Sequence, residues 1–109
     1  MSVCSGSAIF ARAGLLDGRR ATSNKMFFSL ASSQSDKVEW VEQARWVVDG
    51  SMVTSSGVSA GTDMALAVIA DLFGKERALQ IAAFTEYQWH QDADSDPFAA
   101  YLNKGELPA

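Results

Sequence analysis

The sequence predicts an α/β fold, and three observations carry that prediction. Ser2-Val3-Cys4-Ser5-Gly6 leads into Ser7-Ala8-Ile9-Phe10 as the tail of a strand leads into a helix. Arg45-Trp46-Val47-Val48 and Ser51-Met52-Val53-Thr54 are β-rich runs flanking Asp49-Gly50, a strong hairpin signal because a type I′ turn needs positive φ at both central residues. Thr62 to Phe73 is apolar over most of its circumference, which predicts a helix buried against other layers.

In chain order, Ile9, Phe10, Ala13 and Leu16 recur at helical spacing, and Gly14 and Gly18 mark the exit from that helix. Arg20 to Ser23 is a candidate short strand. Asn24 suits an N-cap for a helix over Lys25 to Ala31, with Met26, Phe27 and Leu30 on its apolar face. Ser32 to Asp36 reads as a loop, and Val38, Trp40 and Val41 suggest the next strand. Ser59 is the expected N-cap of the buried helix, with Asp63 in its first turn complementing the dipole. Gly74 ends that helix in the C′ manner, and Lys75 to about Tyr87 forms another with Ala78, Ile81, Ala82 and Thr85 on one side. From Gln91 to Ala109 the chain reads as an irregular tail.

Composition narrows the function classes. A chain of 109 residues is one domain at most, and 48% hydrophobic with 20% charged residues is ordinary for a globular protein. The net charge of −4, with Arg19-Arg20 the one basic doublet, argues against a nucleic-acid or anionic-membrane partner. A single cysteine cannot form an internal disulfide, which points to a reducing, cytoplasmic setting. No apolar run approaches a membrane span, and the first residues lack the features of a signal peptide.

Cys4 is the candidate reactive residue. Small residues on either side of it, Ser2 and Gly6, allow a sharp turn, the arrangement of a nucleophile elbow. A thiol at that corner faces the following helix, whose free N–H groups suit an anionic sulfur. A buried, inert cysteine in a strand is the plainer alternative. Asp92, Asp94 and Asp96 alternate like the opening of a calcium loop, but Pro97 stands where Gly is needed and Asn103 where Glu is needed. A solvated acidic turn is the better reading, with His90 a tail histidine beside it and no metal or cofactor expected. Trp40, Trp46 and Trp89 suit core or interface packing. Ser55-Ser56-Gly57-Val58-Ser59-Ala60-Gly61 lacks both the P-loop ending and the dinucleotide glycine spacing, so a close-packed strand-to-helix turn is expected there.

Two strings carry a family resemblance. Val3-Cys4-Ser5-Gly6 with Ala13-Gly14-Leu15-Leu16-Asp17-Gly18-Arg19-Arg20-Ala21-Thr22, and Asp49 to Leu66 at the right distance, resemble the ThiJ/PfpI family, within the glutamine-amidotransferase-like group. The pattern is most similar to its isonitrile-hydratase-like branch and covers most of residues 2 to 90. The resemblance implies a flavodoxin-like three-layer α/β sandwich, of which residues 1–90 are the C-terminal half, with 91–109 as a tail. It implies Cys4 as nucleophile, an oxyanion turn at Ser5 and Gly6, no cofactor, and a small-molecule substrate. In isonitrile hydratases the thiolate attacks the isocyanide carbon, and water then releases an N-substituted formamide.

The chain departs from the family pattern in two places. Many members carry His where this chain has Asn24, and Asn cannot take a proton. The family's acid/base carboxylate and first strands lie ahead of the elbow, in a half this chain lacks. The expectation is therefore a homodimer, or a partner segment, covering exposed sheet edges, or else a chain with little activity. Glyoxalase or deglycase work is a neighbouring possibility that Asn24 disfavours. A non-catalytic module for assembly or small-ligand binding is the alternative of another class.

Overall fold

The computed structural model describes residues 1–104; residues 105–109 of the predicted tail lie outside the described residues. The fold is α/β and flavodoxin-like. Val3 is extended, and a 3-10 turn over Cys4–Gly6 feeds helix α1 (Ser7–Arg12). Gly14 and Gly18 take positive φ after it, as a helix exit requires. Strand β1 (Arg20–Ala21) then pairs in parallel with β2 (Glu39–Trp40) across helix α2 (Phe28–Ser32), making a small βαβ unit.

The predicted hairpin is present as β3 (Trp46–Asp49) and β4 (Met52–Ser55), paired antiparallel with Asp49 opposite Met52. Its two loop residues are Gly50 and Ser51, one position later than the Asp49-Gly50 reading. Of the two, Gly50 alone has positive φ, the type II′ pattern with Gly at the first central position. Asp49 instead closes β3, and its Oδ2 accepts from the Arg20 N–H at 2.8 Å. Ser2 bridges Thr54 in parallel, with Ser2 N donating to Val53 O at 2.9 Å and Ser55 N to Ser2 O at 3.0 Å. The residues before the elbow are thus joined to the hairpin.

Helix α3 (Val58–Phe73) and helix α4 (Lys75–Phe84) follow, broken at Gly74, where φ is 97°. The elbow strand, α3 and the hairpin meet around Trp46, Val53 and Met64, while Ala11, Leu16, Ala21 and Val38 form a second apolar cluster. Trp40 packs edge-on against Phe28 at 6.0 Å. All three tryptophans are buried or half-buried, in keeping with packing roles.

Several local expectations are corrected. Helix α2 begins at Phe28, not Lys25, because Lys25 turns its side chain into the interior. Asn24 Oδ1 does accept from Phe27 N–H at 3.1 Å, but the turn so capped precedes the helix. Helix α3 starts at Val58 after Gly57, so Ser59 is inside it and is not its N-cap. Asp63 is fully buried in an ion pair and is not a surface partner of the dipole. Burial of α3 is also uneven: Val58 at its start and Leu72 and Phe73 at its end are exposed, while Ala60, Gly61, Asp63, Met64 and Leu66 are buried.

Candidate active site around Cys4

The elbow is a real corner in the backbone. Cys4 has φ 59°, a left-handed conformation that costs a residue with a Cβ about 1–2 kcal/mol. Three hydrogen bonds hold it there. Cys4 N–H donates to Ser56 O at 2.8 Å, while Cys4 O accepts from Ser23 Oγ at 3.1 Å and Asn24 N at 3.3 Å. Segments that are distant in sequence therefore over-determine the turn, as a strained functional residue requires.

The small residues around it play unequal parts. A Cβ on Gly6 would meet only Ser2 Cβ at 3.6 Å, an ordinary contact, and Gly6 itself is right-handed at φ −59°. Its smallness is not what makes the corner. Gly61 on α3 is the close approach: a Cβ there would lie 2.5 Å from Val3 Cγ1. The sequence marks Gly61 as part of a close-packed turn, but nothing local marks a helical glycine as the seat for Val3, near the start of the chain.

The Cys4 thiol is half-buried, and Asn24 Nδ2 donates to Sγ at 3.3 Å. The orientation of that amide is fixed at its other end, where Oδ1 accepts from Phe27 N–H. Asn24 thus holds the sulfur without being able to take its proton. Of the predicted oxyanion turn, the Ser5 N–H donates to nothing among the described residues, whereas the Gly6 N–H is engaged by Val3 O at 3.0 Å. Ser5 is exposed and lines an open groove of about 580 Å³ with Ile9, Arg12 and Leu30.

Behind the turn lies a charged group the sequence did not reveal. Lys25 Nζ reaches Ala44 O at 2.8 Å, Thr22 Oγ1 at 3.0 Å, Ser23 O at 3.1 Å and Ser56 Oγ at 3.2 Å. It also stands 3.2 Å from Asp96 Oδ2, an ionic contact whose geometry falls short of a hydrogen bond. The two side chains are 1% and 0% exposed. Burial pulls the Lys25 ammonium below its ordinary 10.5, and Asp96 pulls the other way. With acceptors on every side, the ammonium form is the one this nest fits. Asp96 is accordingly not part of a solvated acidic turn; Asp92 and Asp94 are exposed, as expected.

A second buried pair braces the hairpin. Arg45 Nε and Nη2 donate to Asp63 Oδ2 at 2.8 and 2.7 Å, and Tyr87 Oη and His90 N donate to Oδ1, each at 2.9 Å. Burial and the Asp63 carboxylate hold the Tyr87 phenol above its ordinary 10.0. Trp89 Nε1 donates to Asp63 O at 3.1 Å. His90 therefore enters through its backbone, not its ring.

A cavity of about 200 Å³ is lined by Asn24, Lys25, Met26, Ser56, Phe98 and Tyr101 among others; Cys4 does not line it, but its partners Asn24 and Ser56 do. Among the described residues no group of three or more His, Cys, Asp or Glu could hold a metal, and no helix is long and apolar enough to cross a membrane. Among the described residues no carboxylate is hydrogen-bonded to Cys4, and Asp96 is connected to it through Lys25 and the serines.

Known proteins with similar sequences point to the chain's family. The chain is 35% identical to an isonitrile hydratase of Pseudomonas putida over 79% of its own length and 36% of that protein's. It is 36% identical to an HTH-type transcriptional regulator of Pseudomonas aeruginosa, over 71% of this chain and 23% of the regulator. The crystal structure of a ThiJ/PfpI family protein from Pseudomonas syringae superposes with a TM-score of 0.63 at 37% identity, covering 88% of this chain and 36% of that one. The chain thus spans about a third or less of the length of these relatives. The sequence pattern of the DJ-1/PfpI family matches residues 1–71, the stretch that holds the elbow, the hairpin and most of α3, and the chain belongs to that family.

Proposed function

We propose that Cys4 is the nucleophile of an isonitrile-hydratase-like reaction on a small isocyanide. The observation that supports this reading best is the left-handed Cys4, fixed by three hydrogen bonds, whose partners Asn24 and Ser56 line a cavity of substrate size. The sulfur adds to the terminal isocyanide carbon, forming the C–S bond, and that carbon gains a proton to give a thioimidate. Water then adds to the same carbon, the C–S bond breaks, the nitrogen is protonated and the thiol is restored. The net change is isocyanide plus water to N-substituted formamide. Asn24 Nδ2 orients the sulfur, and the free Ser5 N–H is a donor for negative charge developing near the reacting carbon. Proton transfer falls to water or to a carboxylate beyond those described, since Asn24 has no basic site.

Formation of N-phenylformamide from phenyl isocyanide, followed by chromatography, tests this reading. The wild-type chain should form it, and Cys4→Ser should lower the rate by about a thousandfold or more. Equal rates in both proteins, or no product from the wild type, would remove the nucleophile. A second reading, a non-catalytic ligand-binding module, is favoured by Asn24 at the position of a base and by the match to a transcriptional regulator. It predicts binding without product.

A further inference from the structure

The cavity lined by Asn24 and Ser56 takes two aromatic residues from the C-terminal segment. Phe98 and Tyr101 lie on the 3-10 turn Pro97–Tyr101, with ring centroids 6.4 Å apart and planes inclined by 28°. That segment is tied down, not loose. Asp96 meets buried Lys25, Gln43 Nε2 donates to Asp94 O at 3.2 Å and Asp96 O at 3.1 Å, and Asn103 N donates to Lys25 O at 2.8 Å. Ser29 N–H in turn donates to Asn103 Oδ1 at 2.6 Å. The segment that carries the two rings is therefore fixed, and both rings line the cavity together with Met26 and Ala60.

Charge and size both restrict what fits. Lys25 and Arg45 line the cavity, but Asp96 and Asp63 already match them, so its walls offer no unpaired charge. Its volume of about 200 Å³ suits a single ring, since a dry apolar cavity of roughly 150 Å³ accepts benzene. Cys4 adjoins it through Asn24, which holds Sγ, and Ser56, whose carbonyl holds the Cys4 N–H.

We propose that this cavity is the subsite for an uncharged, ring-sized substituent of the molecule that reacts at Cys4, with Phe98 and Tyr101 as its specificity-determining face. The proposal rests on the nucleophile reading for the reactive end of that molecule, but ring binding requires no turnover. Two measurements separate them. Cys4→Ser protein is titrated with N-phenylformamide and with N-formylglycine by NMR, and wild type is assayed on phenyl and methyl isocyanide. Phe98→Ala should weaken N-phenylformamide binding about fivefold to tenfold and lower the phenyl-to-methyl ratio of kcat/KM by a similar factor. Phe98 is 51% exposed, so its loss does not threaten folding, and Tyr101→Leu provides a second variant of retained bulk. Binding that responds to Phe98 without any turnover keeps the subsite and sinks the nucleophile. Binding indifferent to both substitutions, or equal affinity for the anionic N-formylglycine, overturns the subsite.

Discussion

Gly50 and Cys4 share a backbone angle, φ 59° at both, and little else. At Gly50 the residue suits the angle: no Cβ is present, and Arg19 Nη1 occupies the space a Cβ would need, 2.8 Å from it. From that place Arg19 donates to Asp49 O at 3.0 Å, so the hairpin tip is stable by local chemistry and tied down besides. At Cys4 the residue opposes the angle, and the conformation survives through bonds from Ser23, Asn24 and Ser56. The same geometry is thus a default in one place and an imposition in the other. The imposed one is where a reactive side chain stands.

The frame that imposes it should be the more fragile. Lys25 joins Ser23 O and Ser56 Oγ, neighbours of the groups that fix Cys4, so Lys25→Met should cost about 3–5 kcal/mol by leaving Asp96 buried and unpaired. Pairing it with Asp96→Leu should restore most of that in chemical denaturation; a double variant as weak as the single one would refute the ion-pair account. Burial lowers the Lys25 ammonium from 10.5, so the unfolded chain holds that proton more tightly. Stability should therefore rise with pH through the window below 10.5, and the Lys25→Met variant should lack this rise.

Of intermediate size is a pair of opposite signs. Cys4→Gly should stabilise the fold by about 1 kcal/mol by relieving the left-handed angle, whereas Gly50→Ala should destabilise it by about 1–2 kcal/mol. Thermal unfolding that moves in the same direction for both would erase the distinction between the two turns. Smallest is Asn24→Ala, which should cost less than about 1 kcal/mol because one end of the amide meets only sulfur. Its signature lies in reactivity: the labelling rate of Cys4 by iodoacetamide should change severalfold relative to the unfolded protein, and no change would remove Asn24 from the site.

Much of the fold was legible because its signals are local. The hairpin announced itself through β-rich runs around a glycine, Gly74 through its place after an apolar run, and the elbow through small residues before a helix. The one-residue shift of the hairpin loop arose because Asp49 has a better use as acceptor for Arg20 than as a turn residue. What the sequence concealed is held by long-range partners. Lys25 and Asp96 look like surface charges until the C-terminal segment folds back and buries them together. Asp63 fits a helix first turn by position, yet Arg45 and the segment that carries Tyr87 and His90 converge on it from two other parts of the chain. Asn24 fits an N-cap and does cap a turn at Phe27, but its Nδ2 also meets the Cys4 sulfur, a tertiary contact that no local pattern reveals.

The bridge between Ser2 and Thr54 bears on the order in which the protein can assemble. The N–H groups of Ser2 and Cys4 find their partners at Val53 and Ser56, and Ser2 O finds its partner at Ser55, all far along the chain. Until the hairpin has formed, Cys4 lacks its bond to Ser56, and its left-handed state rests on Ser23 and Asn24 alone. The aromatic wall arrives later still, when Asp96 reaches Lys25. Contacts so far apart in sequence close slowly, because loop entropy is spent before any bond repays it. Cys4 should therefore be labelled fastest by a general alkylating reagent early in refolding, with its selective behaviour among the last properties the chain acquires.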